Sequence, residues 1–321
     1  VALSLLLIEG ALTVLLAPRL MLEGYDFWHS LWYSFYLAAS AFTNTGFVPM
    51  PDGIAPYATD PYMLSVLAIG VFLGSIGFPV IFALWRYVVG QGWNTHRRLG
   101  LHTKLTLATT IAFVIAGWLA IAALEADNPG TFGSEDFWQT MMQSGYMSVM
   151  TRSGGLGIVD PVDMNGSTLL VMDMLMFVGG GAASTAGGIK VTTIAVLFLA
   201  AYAEARGYQD AQAFGRRIPV EVLRLAVSIV IWGSTIVAAA TIALLHMTKL
   251  PLDHVLFEVI SAFGTCGLST GVSEALPDAG KYVLAATMWA GRVGTVTLAA
   301  AVAPSSRSRM FRLPEERPIV G

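Results

Sequence analysis

The sequence predicts an all-α membrane protein built from repeated units of helix, short re-entrant helix, glycine turn and helix. Three observations carry that prediction. The 321 residues are 55% hydrophobic and 12% charged, with a mean hydropathy of +0.66, whereas soluble domains run at about 45–50% apolar and about 25% charged. Uncharged runs long enough to cross roughly 30 Å of hydrocarbon recur along the chain. A short apolar segment closed by a glycine turn returns three times at nearly constant spacing.

The first run, residues 1–17, starts at Val1 with no basic leader and no small-residue cleavage site after it. It reads as a span clipped at its front and not as a signal peptide. Residues 62–89, 105–124, 225–248 and 282–303 are the next candidate spans, the second and third carrying no charge at all. Residues 168–203 are too long for one straight crossing. Their centre, GGGAASTAGGIK over 179–190, is poor in helix formers, so a broken helix is expected there. The tail from Pro304, with Arg307, Arg309 and Arg312, reads as a polar C-terminus.

Basic residues sort by loop. Arg86, Arg97, Arg98 and Lys104 fall in one, Arg206, Arg216, Arg217 and Arg224 in a second, and the three tail arginines in a third. The positive-inside rule puts these on the cytoplasmic side and the acidic loops near Glu23, Asp26 and 125–136 outside. That parity leaves 125–167 as an outside segment, inside which residues 137–150 are apolar but too short to span. They read as a helix that dips in and returns.

The repeat is explicit in the letters. Asp26-Phe27-Trp28 recurs 110 residues later as Asp136-Phe137-Trp138. SAFTNTGF (40–47) and SAFGTCGL (261–268) share four of eight positions, VMTRSGGL (149–156) fits the same frame, and the aligned Gly46, Gly155 and Gly267 are 109 and 112 residues apart. The units run over 1–95, 96–206 and 207–303, followed by the tail 304–321. Backbone that leaves the helix at membrane depth persists only where it lines a cavity or is buried in protein. The carbonyls of Asn44-Thr45-Gly46, Ser153-Gly154-Gly155 and Thr265-Cys266-Gly267 can therefore face one axis and replace the hydration shell of a monovalent cation. A single such turn is equally a packed kink; three in one frame favour the ion site.

Other classes lose ground. A net charge of -3 gives no electrostatic footprint for nucleic acid. Cys266 is the only cysteine, the five histidines form no metal set, and His96 and His102 read as solvated loop residues. The 179–190 run lacks the lysine spacing and preceding strand of a phosphate loop. No paired carboxylates or nucleophile with base converge as an enzyme needs. Arg292, mid-span, requires a cavity or a carboxylate partner, Asp173 or Glu258. Glu258 lies four residues after His254 on one helix face and is expected to anchor its helix. Asp173 is compatible with an interface, a pore or a neighbouring helix. Gly70 with Gly74, and Gly291 with Gly294, read as close helix packing.

SAFTNTGF, STAGGIK (184–190), FEVISAFGTCGL (257–268) and AGRVGTVTL (290–298) together resemble the Trk/Ktr/HKT superfamily of potassium transporters, most nearly its bacterial Ktr- and Trk-type membrane subunits. The resemblance covers essentially the whole chain. It implies a potassium-channel-like fold of four units around one pore, of which these three look like the second, third and fourth, the first lying before Val1. It implies potassium uptake across the bacterial cytoplasmic membrane through a filter at the nine turn residues named above, with backbone and not thiol mattering at Cys266. Potassium is then the only metal, held at the filter. Ser153-Gly154-Gly155-Leu156 departs from the family's threonine, alanine, glycine and phenylalanine, which bears on selectivity. Gly179, Gly180, Gly181, Ser184, Thr185, Gly187, Gly188 and Lys190 become an intramembrane gate loop, sparsely packed and held by Ser184, Thr185 and Lys190. Arg292 becomes a pore-facing charge beside it. A packing kink is the plainer alternative for the loop.

The implied partners are the bilayer, a second copy in a homodimer, and a cytosolic nucleotide-binding regulatory subunit of the KtrA or TrkA type, which the polar segment 207–217 is suited to touch. No organic cofactor is expected in this chain. The alternatives are a sodium-selective or sodium-coupled transporter (a symporter), a non-conducting membrane subunit, or a membrane enzyme.

Overall fold

The structure, a computed structural model, describes residues 2–90, 99–133 and 135–294. The expectations for His96, Arg97, Arg98, and the 295–321 segment with Arg307, Arg309 and Arg312 lie outside those residues. The described chain is helical apart from one two-stranded hairpin.

Helix α1 (Ala2–Leu22) runs past the expected end at residue 17. Its last turn carries one charge, Arg19, which pairs with Glu23 at 2.6 Å and with Asp60 and so lets the helix continue. Helix α2 (Phe27–Thr43) starts at its N-cap Asp26, whose carboxylate accepts from Trp28 N at 3.3 Å. Helix α3 (Pro61–Ile76) is capped by Asp60, which accepts from Tyr62 N and Met63 N at 2.9 and 3.2 Å, with proline in the first turn where no amide is needed.

The single span expected over 62–89 is corrected here. Helix α4 (Phe78–Gly90) leaves α3 at 103°, with Gly77 at φ 89° between them. A side chain at Gly77 would meet the Ala182 carbonyl oxygen at 2.6 Å, and Phe78 N donates to Ala183 O at 3.3 Å. The 179–190 loop therefore occupies the bend and replaces part of the lost helical bonding.

Helix α5 (Leu101–Glu125) contains His102 in its exposed first turn, so that residue is solvated but helical. Helix α6 (Phe137–Met150) follows Asp136. The long run breaks as expected into α7 (Gly166–Phe177) and α8 (Val191–Ala205). Segment 207–217, expected as a loop, contains a hairpin of β1 (Gln212–Ala213) and β2 (Arg216–Arg217), with Arg217 bonded to Asp210 at 2.8 Å. Then come α9 (Val220–Met247), α10 (Leu252–Gly264), the single turn α11 (Val272–Ala275) and α12 (Asp278–Val293). The span expected over 282–303 starts earlier and its helix ends at Val293; Gly294 caps it at φ 89°.

Helices α1, α5 and α9 are each long and apolar enough to cross a membrane, and the bent α3–α4 pair is a fourth candidate. Each long helix packs on a short one, α1 on α2, α5 on α6 and α9 on α10. The link between units is α3 against α6 and α7 against α10. Leu3, Leu7, Leu119, Ile231, Trp232 and Ile242 stay exposed on the long helices, a surface suited to lipid.

In lipid, apolar burial gives little drive to helix association, so close backbone approach must supply it. A β-carbon at Gly74 would stand 2.1 Å from the Phe42 carbonyl oxygen, and one at Gly291 would stand 1.8 Å from that of Phe263. Phe42 and Phe263 are the phenylalanines of the two SAF sequences, so α3 meets α2 as α12 meets α10. Each of these helices ends three residues later, at Gly77 and Gly294, with φ of 89° at both. The G-x-x-G spacing thus carries close packing and a chain break together.

Candidate functional site

The three short helices end in matching turns. In α2, Asn44 caps at φ 54° and ψ 48°, Asn44 N donates to Ala41 O, and Thr45 N donates to Ser40 O at 3.0 Å. In α10, Thr265 caps at φ 47° and ψ 42°, Thr265 N donates to Ala262 O, and Cys266 N donates to Ser261 O at 2.8 Å. After α6 two residues, Thr151 and Arg152, intervene, yet Ser153 takes φ 70° in the same frame. Two residues on, Gly46, Gly155 and Gly267 have φ of 74°, 66° and 99°. A non-glycine residue in the left-handed region costs about 1–2 kcal/mol, and a β-branched one such as Thr265 is an outlier there. Three such residues at matching positions mark a backbone held in place by its surroundings.

The turns meet. A β-carbon on Gly46 would lie 2.9 Å from Gly155 Cα, one on Gly155 would lie 2.2 Å from the Cys266 carbonyl oxygen, and one on Gly267 would lie 3.4 Å from Gly155 Cα and 3.7 Å from Thr45 O. The three predicted glycines are therefore in backbone contact, and the C-terminal, electronegative ends of three helices approach a common point. Ser153 Oγ reaches across to Gly264 O at 3.0 Å and Thr265 O at 2.6 Å, and Cys266 Sγ donates to Met150 O at 3.2 Å from a buried position. Glu258 accepts from Ser269 Oγ at 2.9 Å and Thr270 N at 3.1 Å, which anchors α10 to the strand that leaves the turn.

Beneath the turns lies the 179–190 loop. Its neck is a parallel bridge between Val178 and Ile189, with Gly179 N donating to Ile189 O at 2.8 Å and Ile189 N to Phe177 O at 3.2 Å. Gly181 N donates to Ser75 O at 2.7 Å, and a β-carbon at Gly180 would stand 2.4 Å from that same oxygen. Thr185 Oγ1 lies within donating distance of Phe42 O at 3.0 Å and Asn44 Oδ1 at 3.2 Å. Gly187 N points to Ser153 Oγ at 3.5 Å, and a β-carbon on Gly187 would stand 2.3 Å from Thr265 Oγ1. Gly188 turns the chain at φ 68°, and Lys190 Nζ donates to Ala186 O at 2.7 Å.

Two expectations change. The loop touches all three turns and is densely bonded, not sparsely packed. Ser184 does not hold it, since its hydroxyl is buried without a hydrogen-bond partner; Thr185 and Lys190 do. A cavity of 180 Å³ lies beside it, lined in part by Gly188, Lys190, Thr193, Phe263 and Gly291.

Arg292 is in the last turn of α12, exposed, and donates to the Thr185 carbonyl. The alternative ion pair with Glu258 is overturned by the Ser269 and Thr270 bonds. Asp173 is buried on α7 with Oδ1 unpartnered among the described residues, so it does not pair with Arg292 either. No group of histidine, cysteine or carboxylate side chains among the described residues could hold a metal ion.

Sequence reasoning missed two ionisable residues that are fully buried. Arg152, inside VMTRSGGL, is fully buried and donates from Nη1 to Val178 O at 2.6 Å. Glu125, at the end of α5, is also fully buried and accepts from Asn128 Nδ2 at 2.7 Å, Thr131 Oγ1 at 2.6 Å, Asn165 N at 2.9 Å and the Thr168 hydroxyl.

Short helices that end in touching glycine turns, with a loop bonded against all three, define a membrane protein of the re-entrant pore-loop class. The chain belongs to the TrkH family of cation transport proteins, which it matches over residues 23–310, and its relatives are ion transporters and not enzymes. It is 32% identical to the Ktr system potassium uptake protein B of Vibrio alginolyticus, over 91% of this chain and 63% of that one. It is also 32% identical to the protein of the same name from Bacillus subtilis, over 98% of this chain and 69% of that one. The crystal structure of the potassium transporter TrkH from Vibrio parahaemolyticus has a like fold, with a TM-score of 0.74 at 18% identity, over 95% of this chain and 64% of that one. The chain thus spans somewhat under two thirds of the length of the first of these relatives.

Proposed function

We propose that this chain forms most of the pore of a potassium uptake transporter. The observation that carries the reading is the meeting of Gly46, Gly155 and Gly267, where a β-carbon on Gly155 would stand 2.2 Å from the Cys266 carbonyl oxygen. Carbonyls of Asn44, Thr45, Ser153, Gly154, Thr265 and Cys266, with those of the three glycines, take the place of water around the ion. The dipole ends of α2, α6 and α10 add negative potential at the same point, each equivalent to about half a charge. A fourth turn, from a preceding unit of the same kind, completes the ring.

The 179–190 loop is the gate. It hangs from Asn44 through Thr185 and meets the other two turns through Gly187, so passage requires that these contacts break. The 180 Å³ cavity beside Lys190 offers room for part of that displacement. Arg292 and Lys190 put positive charge at the loop, which opposes a cation while it is closed. The unit is proposed to sit in the bacterial cytoplasmic membrane as a homodimer, with the hairpin side facing a cytosolic nucleotide-binding regulatory subunit. The names of the relatives, potassium uptake protein B, support the ion.

Influx of rubidium or potassium against sodium into proteoliposomes that hold the full-length polypeptide tests the reading, with Gly155→Asp as the control that plugs the turns. Potassium-selective influx, abolished in the control, is expected. Sodium preference would move the assignment to the sodium-selective alternative. No influx of either cation, with and without the regulatory subunit, would overturn it.

A further inference from the structure

Arg152 is the largest fully buried side chain among the described residues and stands directly before the αL residue of the second turn. Its guanidinium donates from Nη1 to Val178 O at 2.6 Å and lies over the Phe113 ring of α5, 5.2 Å from the ring centre. Nε and Nη2 have no partner, and among the described residues no carboxylate forms an ion pair with it. A buried, unpaired cation is among the costliest groups a membrane protein can hold. It is the more unfavourable here because its field opposes a cation at the adjoining turn. Packing alone would be served better by leucine or methionine.

What the charge does receive is the end of a helix. Val178 is the C-cap of α7, where carbonyls lack intrahelical partners and the dipole is negative. Val178 also forms, with Ile189, the bridge that closes the neck of the 179–190 loop. The main chain of Arg152 serves the other end of that loop, since its carbonyl accepts from Asn44 Nδ2 at 2.9 Å while Asn44 Oδ1 faces Thr185 Oγ1 at 3.2 Å. One residue thus joins a glycine turn to both the neck and, through Asn44, the tip of the loop below it.

We propose that Arg152 is a positioning residue that ties the neck of the gate loop to the second glycine turn, so that the state of the gate and the selectivity of the turns are set together. The proposal rests on the transporter reading above. The guanidinium holds Val178 against Ser153; releasing it loosens the loop and, through Asn44, shifts two of the three turns.

The experiment uses the full-length protein in proteoliposomes and compares Arg152→Met, Arg152→Gln and Arg152→Lys for rubidium and sodium influx, with thermal unfolding in detergent as the folding readout. For Arg152→Met, resting influx is expected to rise and the rubidium-to-sodium ratio to fall, each by about tenfold, the scale of one charge-assisted hydrogen bond. Lysine, which keeps the charge and a donor, is expected to restore much of the ratio, and glutamine less. A folded Arg152→Met protein with wild-type influx and wild-type ratio would overturn the proposal and leave Arg152 a packing residue. If methionine prevents folding, equal wild-type ratios in the glutamine and lysine variants overturn it in the same way. Failure of the transporter reading is distinguishable, because then the unaltered protein shows no selective influx.

Discussion

The Cys266 carbonyl oxygen lies 2.2 Å from the place a β-carbon on Gly155 would occupy, although the two residues belong to different units of the chain. Gly155→Ala must therefore move backbone and not a flexible side-chain tip, and it adds the left-handed penalty of about 1–2 kcal/mol. Influx in reconstituted vesicles is expected to fall by at least about a hundredfold, which corresponds to roughly 2.8 kcal/mol. Gly267→Ala, whose nearest obstruction is at 3.4 Å, should be milder. Equal losses at the two positions would contradict the packing described.

Thr185 and Ser184 are neighbours with opposite roles. Thr185→Val removes the hydroxyl that reaches Phe42 O and Asn44 Oδ1 and keeps the shape. Resting influx should rise by about tenfold, the value of one net hydrogen bond. Ser184→Ala deletes a buried hydroxyl that has no partner, so the closed state should hold at least as well as before. Arg292→Ala, which frees the Thr185 carbonyl, should also raise influx, and its effect should be smaller in the Thr185→Val background because both changes release one loop.

Glu125 gathers donors from the loop after α5, from the residue that precedes α7 and from α7 itself. Glu125→Ala leaves the buried Thr168 hydroxyl without its acceptor and removes the shared partner of the half-buried Asn128 and Thr131, which should cost about 1–3 kcal/mol of stability. Thermal unfolding in detergent reads this directly; an unchanged midpoint would show that the donors rebond elsewhere.

At the start of α2, the Asp26 carboxyl is held below the usual carboxylate range, chiefly by its side-chain hydrogen bond with His29, with burial acting the other way. A carboxyl depressed by folding stabilises the protein above its unfolded pKa and loses that contribution as pH falls through the folded value. The stability difference between wild type and Asp26→Asn should therefore persist below about pH 4, the ordinary carboxylate value, and then vanish. In the His29→Ala background it should vanish at higher pH. Unfolding midpoints across that acid range measure both.

Much of the site was legible because glycine and its frame are local signals. Gly46, Gly155 and Gly267 permit positive φ at one repeated position, and Asp-Phe-Trp stands at two helix starts, the first capped by the Asp26 side chain. The bend at Gly77 was not legible. Gly70 and Gly74 were visible as a packing pattern within one expected span, but that the helix breaks at Gly77 depends on the 179–190 loop arriving from about a hundred residues away. Glu125 and Arg152 were not legible, since a charge beside a turn looks solvated until distant partners such as Thr168 and Val178 close over it.

The unit over 96–206 inserts the long 179–190 loop between α7 and α8, while α4 follows α3 directly after Gly77. With the 179–190 loop as the proposed gate, the aperture is lopsided, closed from one unit by a flap and not by an iris whose leaves retract in concert. Ions would leave along one wall, and each substitution in the flap counts once instead of being multiplied around a ring. A single residue can accordingly be tuned on one side of the path while the opposite side keeps its own chemistry.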